Sequence, residues 1–307
     1  LMTGRYQQRF GFEHNGAGPL PLDEVTLADR MSRAGYRTGM VGKWHLEPNR
    51  TMRDWTARVL SEPNPKQGLR IPFGKILPYY PGARGFDDYY KGNLKRYWVN
   101  YGLDGAERAD DGEWVDKQGY RLDVQTGAAL EFIDRNHENP FFLYVAYFAP
   151  HVPLEATEKY LQRFPGGMPE RRRYALAMIS AIDDVVGKVR DKLADLGIER
   201  DTLIFFISDN GAPLKIDMKD RPISFRGGAW DGSMNTPWTG EKGTIMEGGV
   251  HVPFLAAWPG TIPAGQVCRD PVISLDVAPT CLAAAEVPAA PELEGVNLLP
   301  RLTGEIE

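Results

Sequence analysis

Six polar residues that could act on a charged ester stand directly after or beside apolar segments of the sequence. They are Lys43, His45, His151, Asp209, Asn210 and Lys242. In open α/β sheets, ligands bind beyond the carboxyl ends of the strands. Because the apolar segments have the character of strands, we expect these six residues to converge in one cavity.

The residue types indicate the chemistry of such a cavity. Asp209 and Asn210 offer the hard oxygen ligands that Ca²⁺ or Mg²⁺ prefers. The two lysines carry point charges suited to a tetrahedral oxyanion, and the two histidines can transfer protons near neutral pH. Singly, each has an ordinary structural role as a turn, a surface cation or a hydrogen-bonded ring. In a chain with only five histidines, the combination favours metal-assisted hydrolysis of a sulfate or phosphate ester.

The first of these sites lies in the segment GYRTGMVGKWHL, which begins at Gly35. If this segment stays extended through its end, side chains alternate between its two sides. Lys43 and His45 are then expected to point to one side, with Trp44 turned back into the protein.

The overall composition limits the class of protein. The chain has 307 residues, of which 42% are hydrophobic and 25% charged, with a formal net charge of −5. These values are typical of an ordinary globular protein whose partner is a small molecule, and nothing in them favours nucleic acid. No apolar run reaches the roughly 20 residues that span a bilayer. Cys268 and Cys281 are too few for a disulfide scaffold, and they are expected to be either buried thiols or one bridge.

Apolar periodicity predicts alternating helices and strands. Thr26 and Asp29 have the spacing of a capping box at the start of a helix that ends near Gly35. Alternation of this kind predicts an α/β fold with a large, predominantly parallel or mixed sheet flanked by helices on both faces. Two further helices are predicted at Tyr120–Asn136 and Glu170–Leu196, and buried strands at Phe141–Phe148, Thr202–Ser208 and Val252–Trp258.

Six separated motifs resemble those of the formylglycine-dependent, arylsulfatase-type sulfatases of the alkaline phosphatase superfamily. They read LMTGR, GYRTGMVGKWHL, FLYVAYFAPHVPL, AIDDVVGKV, ISDNG and GEKGTIMEGGVHVPFLAAWPG. The resemblance extends over the whole chain and implies an alkaline-phosphatase-like fold. It also implies a catalytic domain at residues 1–290 and the start of a smaller C-terminal subdomain at residues 291–307.

The resemblance implies a role for four of the polar residues in binding. Asp209 and Asn210 would bind the divalent cation, which in the family is usually Ca²⁺ and less often Mg²⁺. Lys43 and Lys242 would hold the sulfate oxygens and the hydrated aldehyde of formylglycine. The partner implied is a small-molecule or glycan sulfate ester.

The resemblance also assigns the proton transfers and the nucleophile. His151 would protonate the leaving alcohol or phenol, and His45 would help expel sulfate by taking a proton from the second hydroxyl of the hydrate. The formylglycine of the family derives from a cysteine that would precede Leu1, so we expect the nucleophile and the first strand to lie upstream of this sequence. Neither Cys268 nor Cys281 has the sequence context of that cysteine. The chain alone is therefore expected to be inactive, and the full-length protein to need a formylglycine-generating system.

Two other functions fit the same residues. A phosphodiesterase or phosphonate monoester hydrolase of the superfamily would share much of the scaffold, and the residue at the nucleophile position would distinguish it. The third hypothesis is a noncatalytic relative that binds sulfated ligands. Such a protein has no chemical need for both histidines and both lysines, and their presence argues against it. Members of the sulfatase family are commonly exported to the periplasm, the exterior or the lysosome, so we expect an exported protein.

The substrate itself is not specified by these motifs. The loop Gly227–Trp238 carries two tryptophans suited to stacking on a sugar, although a structural lid is an equal reading. The tyrosine-rich region Tyr79–Tyr101 is a second candidate for the rim of the site. His251 stands where the family often has arginine, and the sequence assigns it no role.

Overall fold

The computed structural model describes residues 1–49, 51–60, 71–109, 111–214, 220–225 and 229–305. These residues form two compact units, each assembled from separate parts of the chain. Unit 1 consists of Leu1–Asp116, Glu131–Ala146 and Gly260–Glu307, and unit 2 consists of Lys117–Leu130 and Tyr147–Pro259. The predicted division at residues 290 and 291 stays a prediction.

Unit 1 contains a mixed sheet of five strands in the order β4-β3-β2-β1-β5. Strand β1 is parallel to both of its neighbours, β2 and β5, whereas β2 pairs antiparallel with β3, and β3 with β4. Unit 2 contains the antiparallel pair β6 and β7. The strands are β1 (Arg37–Gly42), β2 (Asp88–Gly92), β3 (Arg96–Val99), β4 (Glu113–Asp116), β5 (Phe141–Ala146), β6 (Ile204–Ile207) and β7 (Phe254–Ala257).

Helices alternate with most of these strands along the chain, as the periodicity predicts, but β2, β3 and β4 are consecutive elements in the described residues. The second and third predicted helices are confirmed to within one residue at each end. Within the described ranges, no helix combines the length and the apolar character that crossing a bilayer requires. The α-helices are α1 (Leu27–Arg33), α2 (Arg53–Val59), α3 (Phe73–Ile76), α4 (Arg121–Asn136), α5 (Glu158–Leu161), α6 (Glu170–Asp195), α7 (Glu247–Val250), α8 (Val277–Ala284) and α9 (Leu299–Leu302).

The expected fold class is confirmed, with one correction to the strands. The apolar runs at Thr202–Ser208 and Val252–Trp258 predict fully buried strands, but β6 and β7 pair with each other and are only partly buried. Phe206 is 38% exposed and Leu255 is 56% exposed. An apolar run shows that a strand can be buried, but it does not specify the strand's partner. The β5 run is likewise half-buried along its whole length.

Helix α1 shows how local sequence sets the start of an element. Thr26 Oγ1 accepts a hydrogen bond from Asp29 N at 3.0 Å, and the Asp29 carboxylate accepts one from Thr26 N at 2.8 Å. This is the predicted capping box, which satisfies two N–H groups that would otherwise lack partners at the helix start. The buried residues Leu27 and Met31 then anchor the helix in the core of unit 1.

The tyrosine-rich region contributes to the core of unit 1 rather than to a rim. Its aromatic side chains are at most 7% exposed except that of Tyr79. The reading of this region as a substrate rim is therefore wrong for most of its tyrosines, because their rings pack against one another and against Trp98. The buried members are Tyr80, Tyr89, Tyr90, Tyr97 and Tyr101.

Unit 2 has its own core, built largely on the long helix α6. Ala177, Met178, Ala181 and Val185 lie on one face of this helix at helical spacing and are fully buried. They pack against the segment that follows β5, including Leu154. The core therefore supports the stretch of chain that carries His151.

Candidate functional site

Lys43 and His45 follow the end of β1 in unit 1. Gly42, the last residue of the strand, has a φ of +98°, a backbone conformation that only glycine adopts without strain. Lys43 N then donates to Ala146 O of β5 at 2.8 Å, so the pairing of the two strands continues one residue past the turn. This fixes the position from which the Lys43 side chain leaves the sheet.

The segment after Lys43 is not extended, contrary to the expectation. His45 has a φ of +61°, in the left-handed region that non-glycine residues rarely occupy. The inward turn of Trp44 is confirmed: its ring is 5% exposed, and Nε1 donates to Tyr79 O at 2.7 Å. The chain must bend to bury the indole of Trp44 in the core. The left-handed backbone of the next residue, His45, makes that bend. His45 itself is exposed.

Asp209 and Asn210 form a turn directly after β6 in unit 2. Ser208 N donates to Pro253 O at 3.1 Å, which ties the start of the turn to the segment before β7. At its other end, Gly211 N donates to Gly249 O at 3.0 Å. The turn is thus held between two backbone hydrogen bonds, one before and one after the Asp-Asn pair.

The loop that carries Lys242 is bonded to the same turn. Lys242 N donates to Ala212 O at 3.2 Å. Asn235 bridges the two segments, since its Oδ1 accepts from Ala212 N at 2.8 Å and its Nδ2 donates to Gly240 O at 2.9 Å. The backbone of Lys242 is therefore held beside the Asp-Asn turn.

The oxygen donors of the turn are of the type that a hard cation binds. The Asp209 side chain lies at an exposed position, and Asn210 Nδ2 donates to Gly211 O at 2.9 Å, which leaves the amide oxygen of Asn210 available. In the part of the chain that the structure describes, no group of three or more His, Cys, Asp or Glu side chains could hold a metal. The two donors fit Ca²⁺ in kind, but they are a partial set for a cation that takes about six to eight oxygen ligands.

His151 lies in the segment after β5, also in unit 2. Its Nδ1 is 2.7 Å from Val152 O. A carbonyl only accepts, so Nδ1 carries the proton and Nε2 is the nitrogen left for chemistry. The ring stacks on that of Phe148, with 4.7 Å between centroids and 26° between planes. His151 is therefore held in one tautomer, with one ring face covered.

Arg121, at the start of α4, supports the segment that carries His151. It is not among the residues that the sequence motifs predict for the site. Its guanidinium group, 1% exposed, donates to the carbonyl oxygens of His151 and Pro153. It also lies 5.5 Å from the Phe148 ring centroid and forms an ion pair with Glu155 at 3.2 Å. A buried arginine that satisfies backbone carbonyls fixes the path of the loop.

A second residue that sequence reasoning missed is Asp231, which is 6% exposed. Its Oδ1 accepts from Ser233 N at 3.0 Å. Burial raises the pKa of the Asp231 carboxyl, and the Ser233 N–H and the charge of His151 act in the opposite direction. Asp231 lies among glycines and tryptophan in the sequence GGAWDG, which reads as an ordinary turn, so no local signal marks it.

Replacement of Arg121 by methionine is expected to lower the free energy of unfolding by about 3 kcal/mol, because it leaves buried carbonyl oxygens without donors. We also expect the ring of His151 to lose its single tautomer. Urea unfolding measures the first effect, and long-range ¹H–¹⁵N NMR of the imidazole measures the second.

The control is Arg190→Met. Arg190 is exposed on α6 and 3.5 Å from Glu199, and its loss should change the free energy of unfolding by about 0.5 kcal/mol or less. An Arg121→Met protein with the stability and the imidazole spectrum of the wild type would contradict this account of the loop.

The two tryptophans of the loop Gly227–Trp238 have different environments, and Gly227 and Gly228 lie outside the described residues. Trp230 is 4% exposed and donates from Nε1 to Ser233 O at 2.7 Å, so it cannot stack on a sugar. Trp238 is 44% exposed and stacks on His251 with 4.5 Å between centroids. His251 in turn forms an ion pair with Glu247 at 2.6 Å.

Cys268 and Cys281 are both free thiols, so the alternative of a bridge between them is wrong. Cys268 is exposed, whereas burial raises the pKa of the Cys281 thiol to about 12. A thiol with so high a pKa is a poor nucleophile at neutral pH.

The sequence-predicted residues are thus divided between the two units. Lys43 and His45 belong to unit 1, and the other four belong to unit 2. Within unit 2, backbone hydrogen bonds join the Lys242 loop to the Asp-Asn turn, while the described hydrogen bonds of His151 connect it to its own segment and to Arg121.

Comparison with known proteins gives consistent results. The profile of the family described as Sulfatase matches residues 1–287. The chain is 31% identical to human N-acetylgalactosamine-6-sulfatase, over 98% of this chain and 55% of that protein. It is 30% identical to arylsulfatase G of Rattus norvegicus, over 99% of this chain and 59% of that protein. The chain therefore spans a little over half the length of these curated relatives.

A solved structure is similar over a comparable extent. The crystal structure of Ps i-CgsB in complex with k-i-k-neocarrahexaose superposes with a TM-score of 0.74 at 30% identity. The match covers 97% of this chain and 63% of that one.

Proposed function

Because this chain belongs to the sulfatase family, we propose that it carries the substrate-handling residues of a hydrolase that cleaves sulfate esters of glycans. The observation that carries the proposal is the hydrogen-bonded assembly of the Asp209–Asn210 turn and the Lys242 loop. The choice of glycans is supported by the human relative named for N-acetylgalactosamine 6-sulfate and by the oligosaccharide bound to Ps i-CgsB.

The lysines act on the sulfate group in this proposal. The ammonium groups of Lys43 and Lys242 neutralise sulfate oxygens, whose negative charge is retained throughout hydrolysis. Asp209 and Asn210 hold Ca²⁺, and when bound the cation supplies positive charge to the reacting oxygens. The exposed position of Asp209 leaves its carboxylate accessible to such an ion.

The histidines transfer the protons. His151 enters the reaction as the imidazolium: Nε2 gives its proton to the oxygen of the leaving sugar alcohol, the Nδ1 proton stays bonded to Val152 O, and the ring is left as the neutral Nδ1–H tautomer. A sugar alkoxide is a poor leaving group, so the C–O oxygen needs this proton as the S–O bond breaks. His45 accepts a proton in the later step that releases sulfate.

The nucleophile in this proposal is a formylglycine encoded before Leu1, which when present supplies the attacking oxygen. Cys268 is exposed, Cys281 is half-buried with a thiol pKa that burial raises to about 12, and neither has the sequence context of the family's cysteine. The proposal therefore includes the expectation that the 307-residue chain alone hydrolyses no sulfate ester.

The test is a comparison of leaving groups in the protein that includes the residues encoded before Leu1. In the His151→Ala variant, we expect kcat for N-acetylgalactosamine 6-sulfate to fall by about a thousandfold. For 4-nitrophenyl sulfate we expect a fall of less than about tenfold, because nitrophenolate leaves without a proton. Steady-state kinetics with both substrates measure the difference.

The matched control is His137→Ala, since His137 Nδ1 is also bonded to a backbone carbonyl, Asp134 O, at 2.8 Å. This variant should keep the wild-type rates. Equal losses for the two substrates would contradict the role of His151. Preference for a phosphonate monoester would indicate the related hydrolase instead, and binding of sulfated sugar without turnover would indicate a noncatalytic binder.

A further inference from the structure

A cleft of about 560 Å³ opens in unit 1 next to the segment that carries Lys43 and His45. Its volume is in the range of natural ligand sites. Four of its lining residues are aromatic, and two carry opposite charges, Asp23 and Arg58. This cleft is separate from the residues that the sequence motifs single out.

Aromatic rings form the walls of the cleft. A Cβ atom placed on Gly18 would lie 3.5 Å from the ring of Phe12 and 3.6 Å from the ring of Trp55, so both rings flank the backbone of this glycine. Tyr79 meets Trp55 edge to face, with 5.8 Å between the centroids. Exposed aromatic faces suit a pyranose, because the C–H groups on one side of the sugar ring form an apolar face that packs on them.

The two charged residues that line the cleft, Asp23 and Arg58, differ in whether opposite charges lie nearby. Burial lowers the pKa of the Arg84 guanidinium, and the charges of nearby acids, among them Asp23, act in the opposite direction. Arg58 is exposed on α2 and has no ion-pair partner among the described residues. The cleft therefore offers an uncompensated cation, while the carboxylate of Asp23 can accept hydrogen bonds from sugar hydroxyls.

Two hydrogen bonds connect the cleft to the end of β1. Trp44 Nε1 donates to the carbonyl oxygen of Tyr79, whose residue lines the cleft, at 2.7 Å. Leu20 N, next to the lining residues Pro19 and Pro21, donates to Leu46 O at 3.0 Å. The cleft and the segment from Lys43 to Leu46 are therefore parts of one hydrogen-bonded substructure.

We propose that this aromatic cleft binds a second sugar of the substrate, one that carries a carboxylate or sulfate group paired with Arg58. The inference rests on the proposed function, because it assigns the substrate to oligosaccharides rather than to isolated sulfated monosaccharides. Trp55 supplies the stacking face and Arg58 the charge.

The experiment measures binding of two probes to the 307-residue chain by isothermal titration calorimetry. The probes are a chondroitin 6-sulfate hexasaccharide and N-acetylgalactosamine 6-sulfate. We expect Arg58→Gln and Trp55→Ala each to weaken the hexasaccharide about tenfold. Neither should change the affinity for the monosaccharide. A carboxyl-reduced hexasaccharide distinguishes the two anions: Arg58→Gln loses its effect on this probe if the carboxylate is the partner, and keeps it if a sulfate is.

The matched control is Arg53→Gln, an exposed arginine on the same helix that does not line the cleft. It should bind both probes as the wild type does. The proposal is overturned if the wild type does not bind the hexasaccharide, or if the variants and the control bind it equally. It is also overturned if Trp55→Ala and Arg58→Gln weaken both probes alike. The calorimetric experiment does not measure turnover. The cleft proposal can therefore hold even if the sulfatase assay fails, and the sulfatase proposal can hold even if the cleft binds no sugar.

Discussion

Gly211→Ala is expected to weaken Ca²⁺ binding at the Asp209–Asn210 turn by about 10- to 100-fold, the range typical of changes to groups that orient metal ligands. A Cβ atom on Gly211 would lie 1.8 Å from Gly248 O, far inside any permitted contact. The backbone must move apart, which breaks the 3.0 Å hydrogen bond from Gly211 N to Gly249 O. That bond holds the turn beside the Lys242 loop.

Calcium titration by calorimetry measures this effect, and urea unfolding measures the accompanying loss of stability, expected to be about 3 kcal/mol. The matched control is Gly187→Ala in α6, where a Cβ atom meets nothing within 4 Å. That change should raise stability by about 0.5 to 1 kcal/mol, because alanine favours a helix interior. A Gly211→Ala protein that binds Ca²⁺ like the wild type would contradict the assignment, and a wild type that binds none would overturn the metal proposal.

The second large effect is expected at the end of β1. Gly42→Ala should lower the free energy of unfolding by about 3 kcal/mol or more, since two penalties combine. Its φ of +98° is unfavourable for any residue with a Cβ atom, and that atom would lie 2.1 Å from Ala146 O. The clash falls on the backbone of β5, which cannot move without breaking the bond from Lys43 N to the same oxygen.

Urea unfolding and amide hydrogen exchange of β1 and β5 measure this change. Gly74→Ala in α3 is the control in the same unit, because a Cβ atom there meets nothing within 4 Å and the φ is not positive. Its stability should stay within about 0.5 kcal/mol of the wild type. Slow exchange retained at β5 in the Gly42→Ala protein would show that the strand pairing tolerates the extra carbon.

The elements that the sequence predicts well are those whose signals are local. The capping box of Thr26 and Asp29 lies within four residues, and the periodicity of α6 repeats along one helix, so each is visible without knowledge of the fold. The same holds for the apolar run of β5, which lies where it was predicted.

The features that the sequence did not reveal depend on distant partners. The antiparallel pairing of β6 with β7 joins two apolar runs that look alike in isolation, and composition does not specify the direction of pairing. His45 takes a left-handed backbone because of where Trp44 is buried, which is a property of the core. Arg121 became recognisable only when its contacts with His151 were known, since a single arginine at a helix start carries no functional signal.

The candidate site shows the same division. Hydrogen bonds within unit 2 hold the backbone of the Lys242 loop beside the Asp-Asn turn, while the convergence of their side chains in one cavity stays a prediction. The convergence of Lys43 and His45 with these residues stays a prediction, because it depends on residues of unit 1.

The topology of the five-stranded sheet has a consequence for folding kinetics. In the parallel pair of β1 and β5, Arg37 aligns with Phe141, about a hundred positions further along the chain. A long loop must therefore close before contacts between the two strands can offset the conformational entropy that loop closure costs. The bond between Ala212 and Asn235 closes only 23 residues. The Asp-Asn turn should therefore gain protection from hydrogen exchange early in refolding, and the strand end that carries Lys43 should gain it late.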